Sequence, residues 1–228
     1  RIYINDGGTI WNPGWQPTKT ELDSYSCRHG LGYTILTGEK NGIRAQQELF
    51  VPRGDACEID RLTLENKTDA PRTLDVFSYV EFCLWDAMDD SSNFQRNFST
   101  GEVEVVGSAI YHKTEYRERR DHYAVFWANT PVTSFDTSRD AFCGVYGGPA
   151  EPEAVKAGHC SNSVAHGWAP VGAHHFHLTL EAGEMKTILF GLGYIENPVA
   201  EKFTAPGVIN KARAEAMMAR YATDAQVD

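Results

Sequence analysis

No apolar run in this 228-residue chain approaches the roughly 20 residues that a membrane-spanning helix needs. The chain opens as Arg1-Ile2-Tyr3-Ile4, which reads as a strand and carries no basic and apolar secretory leader. Positive charge is scarce: 21 Lys and Arg against 31 Asp and Glu give a net charge of −10. That balance argues against nucleic acid or an anionic membrane as a general partner, because both reward clustered cations. Cysteine is sparse and shows no pairing pattern. Cys27, Cys57, Cys83, Cys143 and Cys160 are odd in number, widely spaced and free of any CxxC. This suits reduced thiols in a cytoplasmic protein better than a disulfide framework or a zinc site. The Gly-x-Ser-x-Gly elbow, the P-loop and the Rossmann fingerprint are all missing. A Ser-His-Asp or Cys-His triad stays open on composition alone.

What is present reads mostly as strands. Hydrophobic residues make up 42%, enough to fill a core for one large domain or two small ones. In Leu74 to Leu84, one face carries Leu74, Val76, Val80, Phe82 and Leu84, and the other carries Phe77 and Tyr79. A strand apolar on both faces predicts a sheet covered on both sides. Glu102 to Val105 alternates as a half-buried strand should, and His175 to Leu180 turns Phe176, Leu178 and Leu180 inward. Tyr123 to Trp127 and Met185 to Tyr194 complete the clearest set. Asn41-Gly42, Asp69-Ala70-Pro71 and Ala182-Gly183-Glu184 are turn signals between them. Many closely spaced strands with Gly-rich turns predict a mainly β fold, a β-sandwich. After Pro206-Gly207, Val208 to Tyr221 has a helical composition. Thr223-Asp224-Ala225-Gln226 then has capping-box spacing, as if a second helix begins there. Both ends look cut from a longer polypeptide.

Several clusters carry candidate chemistry. The densest lies between Trp85 and Asn97: Trp85, Asp86, Asp89, Asp90, Asn93, Phe94, Gln95 and Arg96 combine aromatic faces, carboxylates, amides and a guanidinium. Gln95 and Arg96 offer the fork-like donors that sugar hydroxyls accept, and the rings offer stacking surface. The competing reading is a polar loop with its own turn chemistry. Tyr111 to His122 holds three Arg and a Lys, which suits a phosphate or, equally, cross-strand ion pairs on a solvated face. His175 and His177 share a strand face near His174, but no acid or third ligand accompanies them in the sequence, so a metal site is disfavoured. Trp11 and Trp15 stand in a Gly/Pro-rich stretch, either as packing anchors or as a sugar platform. Arg28-His29 leads into the glycine-punctuated strand at Tyr33. Asn66-Lys67-Thr68 matches a glycosylation sequon and reads as chance in a chain with no sign of secretion.

Three long segments resemble the N-terminal region of the cellobiose phosphorylase family of inverting disaccharide phosphorylases. They are NDGGTIWNPGWQPTKTELDSYSCRHGLGYT, VEFCLWDAMDDSSNFQRNFSTGEVEV and SAIYHKTEYRERRDHYAVF. The likeness is collinear, continues through GLGYIENP and covers nearly the whole chain. It implies a large antiparallel β-sandwich of the galactose-mutarotase-like supersandwich type over 1–205. Residues 206–228 would begin a helical linker to an (α/α)6 barrel that holds the catalytic acid and the phosphate site. The implied reaction converts cellobiose and inorganic phosphate, a co-substrate, to α-glucose 1-phosphate and glucose with inversion, and no cofactor is implied. The resemblance also implies a homodimer, with Gln95 and Arg96 contacting the acceptor sugar. Trp85, Asp89, Asp90 and Asn93 would support that pair, and Phe94 stands where the family often has Tyr. Two other readings remain open. One is a stand-alone carbohydrate-binding module acting through Trp11, Trp15 and Trp85. The other is a mutarotase-like epimerase using His122, His175 or His177 with a Glu as acid and base.

Overall fold

A computed structural model describes residues 1–83, 88, 101–114, 121–167 and 169–227. In chain order, the first strands are β1 (Ile2–Asp6), β2 (Thr9–Trp11), β3 (Ser24–His29), β4 (Tyr33–Lys40), β5 (Ile43–Phe50), β6 (Cys57–Asn66) and β7 (Arg72–Glu81). Next come β8 (Gly101–Val106), β9 (Ala109–Thr114), β10 (His122–Ala128), β11 (Ser134–Ser138), β12 (His166–Gly167), β13 (Pro170–Leu180) and β14 (Met185–Glu196). The chain closes with the hairpin β15 (Phe203–Ala205) and β16 (Val208–Ile209). Helices α1 (Arg139–Cys143) and α2 (Glu153–Ala157) follow β11, and α3 (Ala212–Arg220) follows β16.

Among the described residues, two antiparallel sheets face each other. One has five strands in the order β11-β13-β7-β1-β2, and the other has nine in the order β12-β8-β9-β10-β14-β6-β5-β4-β3. The alternation of the strands puts Leu62, Leu64, Leu74, Val76, Phe126, Phe176 and Phe190 into one core between the sheets. The doubly apolar strand expected from Leu74 is β7. Its other face turns Phe77 and Tyr79 toward Phe142 of α1 and Val155 of α2. Every residue of β10 is buried, because the outer face of the nine-stranded sheet is covered too. There Tyr111, Tyr123, Val125 and Trp127 pack against Ile209, Ala214 and Met217 from the C-terminal segment.

The turn chemistry holds. Asn41 and Gly42 take φ of 52° and 78° between paired Lys40 and Ile43, the two-residue hairpin that Asn-Gly favours. Gly183 takes φ 73° between β13 and β14. The helix expected over Val208 to Tyr221 is shorter: Val208 and Ile209 are paired with β15, and α3 starts only at Ala212. Glu104 from β8 decides this, since it accepts the Ile209 N–H at 2.8 Å and pairs with Lys211. The capping box at Thr223 and Gln226 forms, on a short 3₁₀ turn. Asn66 of the sequon is fully buried. Its side-chain amide donates to the Ala70, Leu180 and Glu181 carbonyls at 2.8, 3.0 and 3.1 Å, so it is committed to the fold. No helix of the described residues is long and apolar enough to cross a membrane.

Candidate functional site

The candidate sugar-contact residues Gln95 and Arg96, with Trp85, Asp89, Asp90 and Asn93, lie outside the described residues. So does most of the charged run, residues 115–120. What the structure places is the rim from which those segments leave. Strand β7 ends at Glu81 opposite Val171, β8 starts at Gly101 opposite Thr114, and β10 starts at His122 opposite Glu196. These strand ends share one end of the sandwich. A cleft of about 500 Å³ opens there between the sheets, with Phe82 and Cys83 on one side and Glu58, Ala124 and Tyr194 on the other.

Phe82 crosses from the five-stranded sheet to stack on His112 of β9, centroids 4.8 Å apart. Burial, with a smaller contribution from nearby His122, pushes the His112 imidazole down to about 4. His174 on β13 stacks on Phe126 at 4.6 Å and meets Ser78 Oγ at 3.1 Å through Nδ1. Burial takes it down to about 3. Both imidazoles are therefore neutral near pH 7 and pack as flat core groups. Glu81 is held by the Tyr79 hydroxyl at 2.7 Å and faces Arg139 at 3.7 Å, on the outer face of its sheet. The rim thus presents an apolar frame with carboxylates at its margin. Such a frame suits the anchoring of loops better than bond-breaking chemistry.

The histidine pair expected from β13 is elsewhere. His175 Nε2 and His177 Nδ1 converge on Asp75 Oδ1 at 2.9 and 2.7 Å, on the outer face of the five-stranded sheet. His175 Nδ1 meets Ser134 Oγ at 2.8 Å, and Ser134 in turn accepts the Cys160 N–H at 3.1 Å. The expectation that no acid accompanies these histidines is corrected, because β7 supplies one across the ladder. The signal was a lone Asp in an apolar strand, but only strand pairing reveals its partner. Burial lowers His175, and the Asp75 hydrogen bond partly offsets this. Ser134 is 8% exposed and already hydrogen-bonded, so the Ser-His-Asp chain is a structural tie. Among the described residues no group of three or more His, Cys, Asp or Glu is placed to hold a metal ion.

Two alternative readings lose their geometry. His122 lies on the inner face of the nine-stranded sheet at 2% exposure, while His175 and His177 lie on the outer face of the other sheet. His175 and His177 are bonded to Asp75 and not to a Glu, and His122 is buried, so none of the three is set against a Glu across an open sugar site among the described residues. Trp11 is wholly buried in the core and Trp15 is 43% exposed, so the pair does not form one platform.

Comparison with known proteins adds a separate finding. Residues 1–224 match the family described as "Glycosyl hydrolase 94, supersandwich domain". The chain is 32% identical over 234 residues to the N,N'-diacetylchitobiose phosphorylase of Vibrio furnissii, covering 100% of this chain and 27% of that relative. It is 36% identical over 190 residues to the solabiose phosphorylase of Paenibacillus borealis, covering 82% of this chain and 24% of that relative. The chain therefore spans well under two thirds of the length of the relatives it matches. A bacterial glucoamylase solved with acarbose shares the fold, with a TM-score of 0.54 at 10% identity, over 88% of this chain and 27% of that one.

Proposed function

This chain belongs to the glycosyl hydrolase 94 supersandwich-domain family, and we propose that it is the N-terminal domain of a disaccharide phosphorylase. The substrate class is a β-linked disaccharide, with cellobiose as the first candidate, cleaved by inorganic phosphate to a sugar 1-phosphate and a free sugar. The observation that carries this reading is the match over residues 1–224, together with relatives that are disaccharide phosphorylases by name.

In this reading an acid beyond this chain protonates the leaving oxygen. Phosphate attacks the anomeric carbon from the opposite face. It is already an anion, so the second carboxylate that activates water in an inverting hydrolase is not needed. The rim described above would hold the stems of the loop containing Gln95 and Arg96, which would reach the acceptor sugar. Trp85, Asp89, Asp90 and Asn93 would hold that pair in place. Residues 206–228 would lead into the barrel, and the intact protein would be a cytoplasmic homodimer.

The test uses the full-length polypeptide with phosphate and, separately, cellobiose, N,N'-diacetylchitobiose and solabiose, measuring released sugar 1-phosphate. Release from cellobiose supports the whole reading. Release from another disaccharide alone keeps the phosphorylase and replaces the substrate. No release from any of them overturns it. For Arg96→Ala, an unchanged acceptor KM and turnover in the synthetic direction would remove the proposed acceptor contact.

A further inference from the structure

Helix α3 is joined to the rim of the sandwich through one carboxylate. Asp55 sits in the connection from β5 to β6, and its Oδ1 accepts from Arg220 Nη2 at 2.6 Å. Its Oδ2 accepts from Arg220 Nε at 2.9 Å and from the Tyr221 hydroxyl at 2.5 Å. Both oxygens are therefore engaged by the end of α3, which lies 165 positions further along the chain. The planar guanidinium fork fits a carboxylate edge in this way, and a point cation does not. Arg220 is itself steadied, since its Nη1 donates to the Ala216 carbonyl at 3.1 Å, one turn back on the same helix. The hydrogen bonds from Arg220 and Tyr221 hold the Asp55 carboxyl below its usual range.

The same connection builds one wall of the rim cleft. Val51, Ala56 and Glu58 line it on either side of Asp55, and Tyr194 of β14 stands beside them. Residues 51–54 are exposed or half-buried, so the core does not hold this stretch. The Tyr194 N–H donates to the Ala56 carbonyl at 2.8 Å, and α3 holds Asp55, so the wall is seated by β14 and the helix. Helix α3 also lies close on β14, where Met217 Sδ stands 2.8 Å from the position of a Cβ at Gly193, next to Tyr194. Both pieces of the wall thus rest on one helix. Glu58 is the carboxylate of this wall, exposed where the rim cleft meets a second hollow lined by His29, Tyr33 and Thr34. A carboxylate in that place can accept hydrogen bonds from neighbouring sugar hydroxyls.

We propose that Asp55 is a positioning residue for the acceptor sugar: it locks the wall at 51–58 to α3 and so sets where Glu58 stands. Its role rests on the functional reading, in which the acceptor loop leaves the same rim. Asp55 itself touches no sugar. It keeps the wall in one place, which lowers the ordering cost of binding. Releasing it should weaken acceptor binding and leave the chemical step nearly as it was, because in that reading the catalytic acid lies elsewhere.

The test uses the full-length polypeptide as wild type, Asp55→Asn, Asp55→Glu and Arg220→Lys. Asn keeps the size of Asp55 but loses its charge and one acceptor oxygen. Synthesis from sugar 1-phosphate and acceptor gives KM and kcat, and hydrogen exchange read by mass spectrometry follows residues 51–58. Asp55→Asn should raise the acceptor KM about fivefold, the size expected for one half-exposed ion pair, with kcat held within about twofold. Arg220→Lys, which cannot fork, should move the same way, and Asp55→Glu should restore most of the acceptor KM. Exchange over residues 51–58 should quicken in Asp55→Asn while β7 and β13 stay protected. An unchanged acceptor KM, a loss confined to kcat, or exchange at 51–58 that matches wild type each overturns the proposal. Lost protection throughout the domain would make Asp55 a general stability residue and overturn it as well. A wild type that makes no product removes the functional reading and the acceptor role with it, while exchange still reports the latch, so the two failures are told apart.

Discussion

Phe82 lies flat on His112, with ring centroids 4.8 Å apart and planes 19° from parallel. The contact ties the chain at Phe82 to the opposite sheet. Phe82 is 7% exposed. Phe82→Ala should cost about 3 kcal/mol in urea unfolding, the low end for a buried Phe at a partly open site. If the rim anchors the acceptor loop, the same variant should raise the acceptor KM in the intact enzyme. Unfolding curves that superimpose on wild type would show the contact to be idle.

The neutral core imidazoles make stability fall in acid. His112 is pushed down to about 4 and His174 to about 3, against 6.5 when unfolded. Between those values the unfolded chain binds protons that the folded chain refuses, so stability rises with pH. As pH falls below 6.5, each group should cost up to about 1.4 kcal/mol per pH unit until the folded state also protonates. His112→Phe should flatten the slope between pH 6 and 4 in denaturant titrations. An unaltered slope in that window would mean that His112 is not held neutral by the core.

Asp75 holds two histidines at once, one buried and one exposed. Asp75→Ala leaves His175 without its Nε2 partner and should cost about 2 kcal/mol by chemical denaturation, the usual range for a charge-assisted hydrogen bond. His177→Ala should cost much less, because His177 is 56% exposed and solvent replaces its bond. Equal losses for the two variants would contradict this division.

Two glycines on β14 should differ sharply. A Cβ at Gly191 runs into the Trp127 indole, a rigid neighbour. A Cβ at Gly193 stands 2.8 Å from Met217 Sδ, the flexible end of a side chain on α3. Gly191→Ala should therefore lose about 3 kcal/mol and Gly193→Ala about 1 kcal/mol, within the range for overpacked cores. Thermal unfolding of both variants checks the order.

Much of this fold was legible in the chain. Alternation along Glu102 to Val105 and His175 to Leu180 announced strands with one inward face, and Asn41-Gly42 announced its hairpin, because side-chain period and turn conformation are local properties. Val208 and Ile209 read as helix because their neighbours favour helix. A distant Glu104 made them strand, and no local pattern records that contact. Asp75 behaved the same way. Its histidines lie about a hundred positions away, and only the register of β7 against β13 brings them together.

The sequence by itself determined the strand periods, the turns and, through its long collinear resemblance, the supersandwich fold and the broader family of disaccharide phosphorylases, though not cellobiose as the substrate. Those depend on neighbours in the chain and on residue order. Only the tertiary structure decided which polar groups are neutral, buried or paired. It sent His122 and His175 to different layers and committed Asn66 to three carbonyls. Burial, pairing and exposure are set by residues far apart in the chain, and strand register brings those residues together.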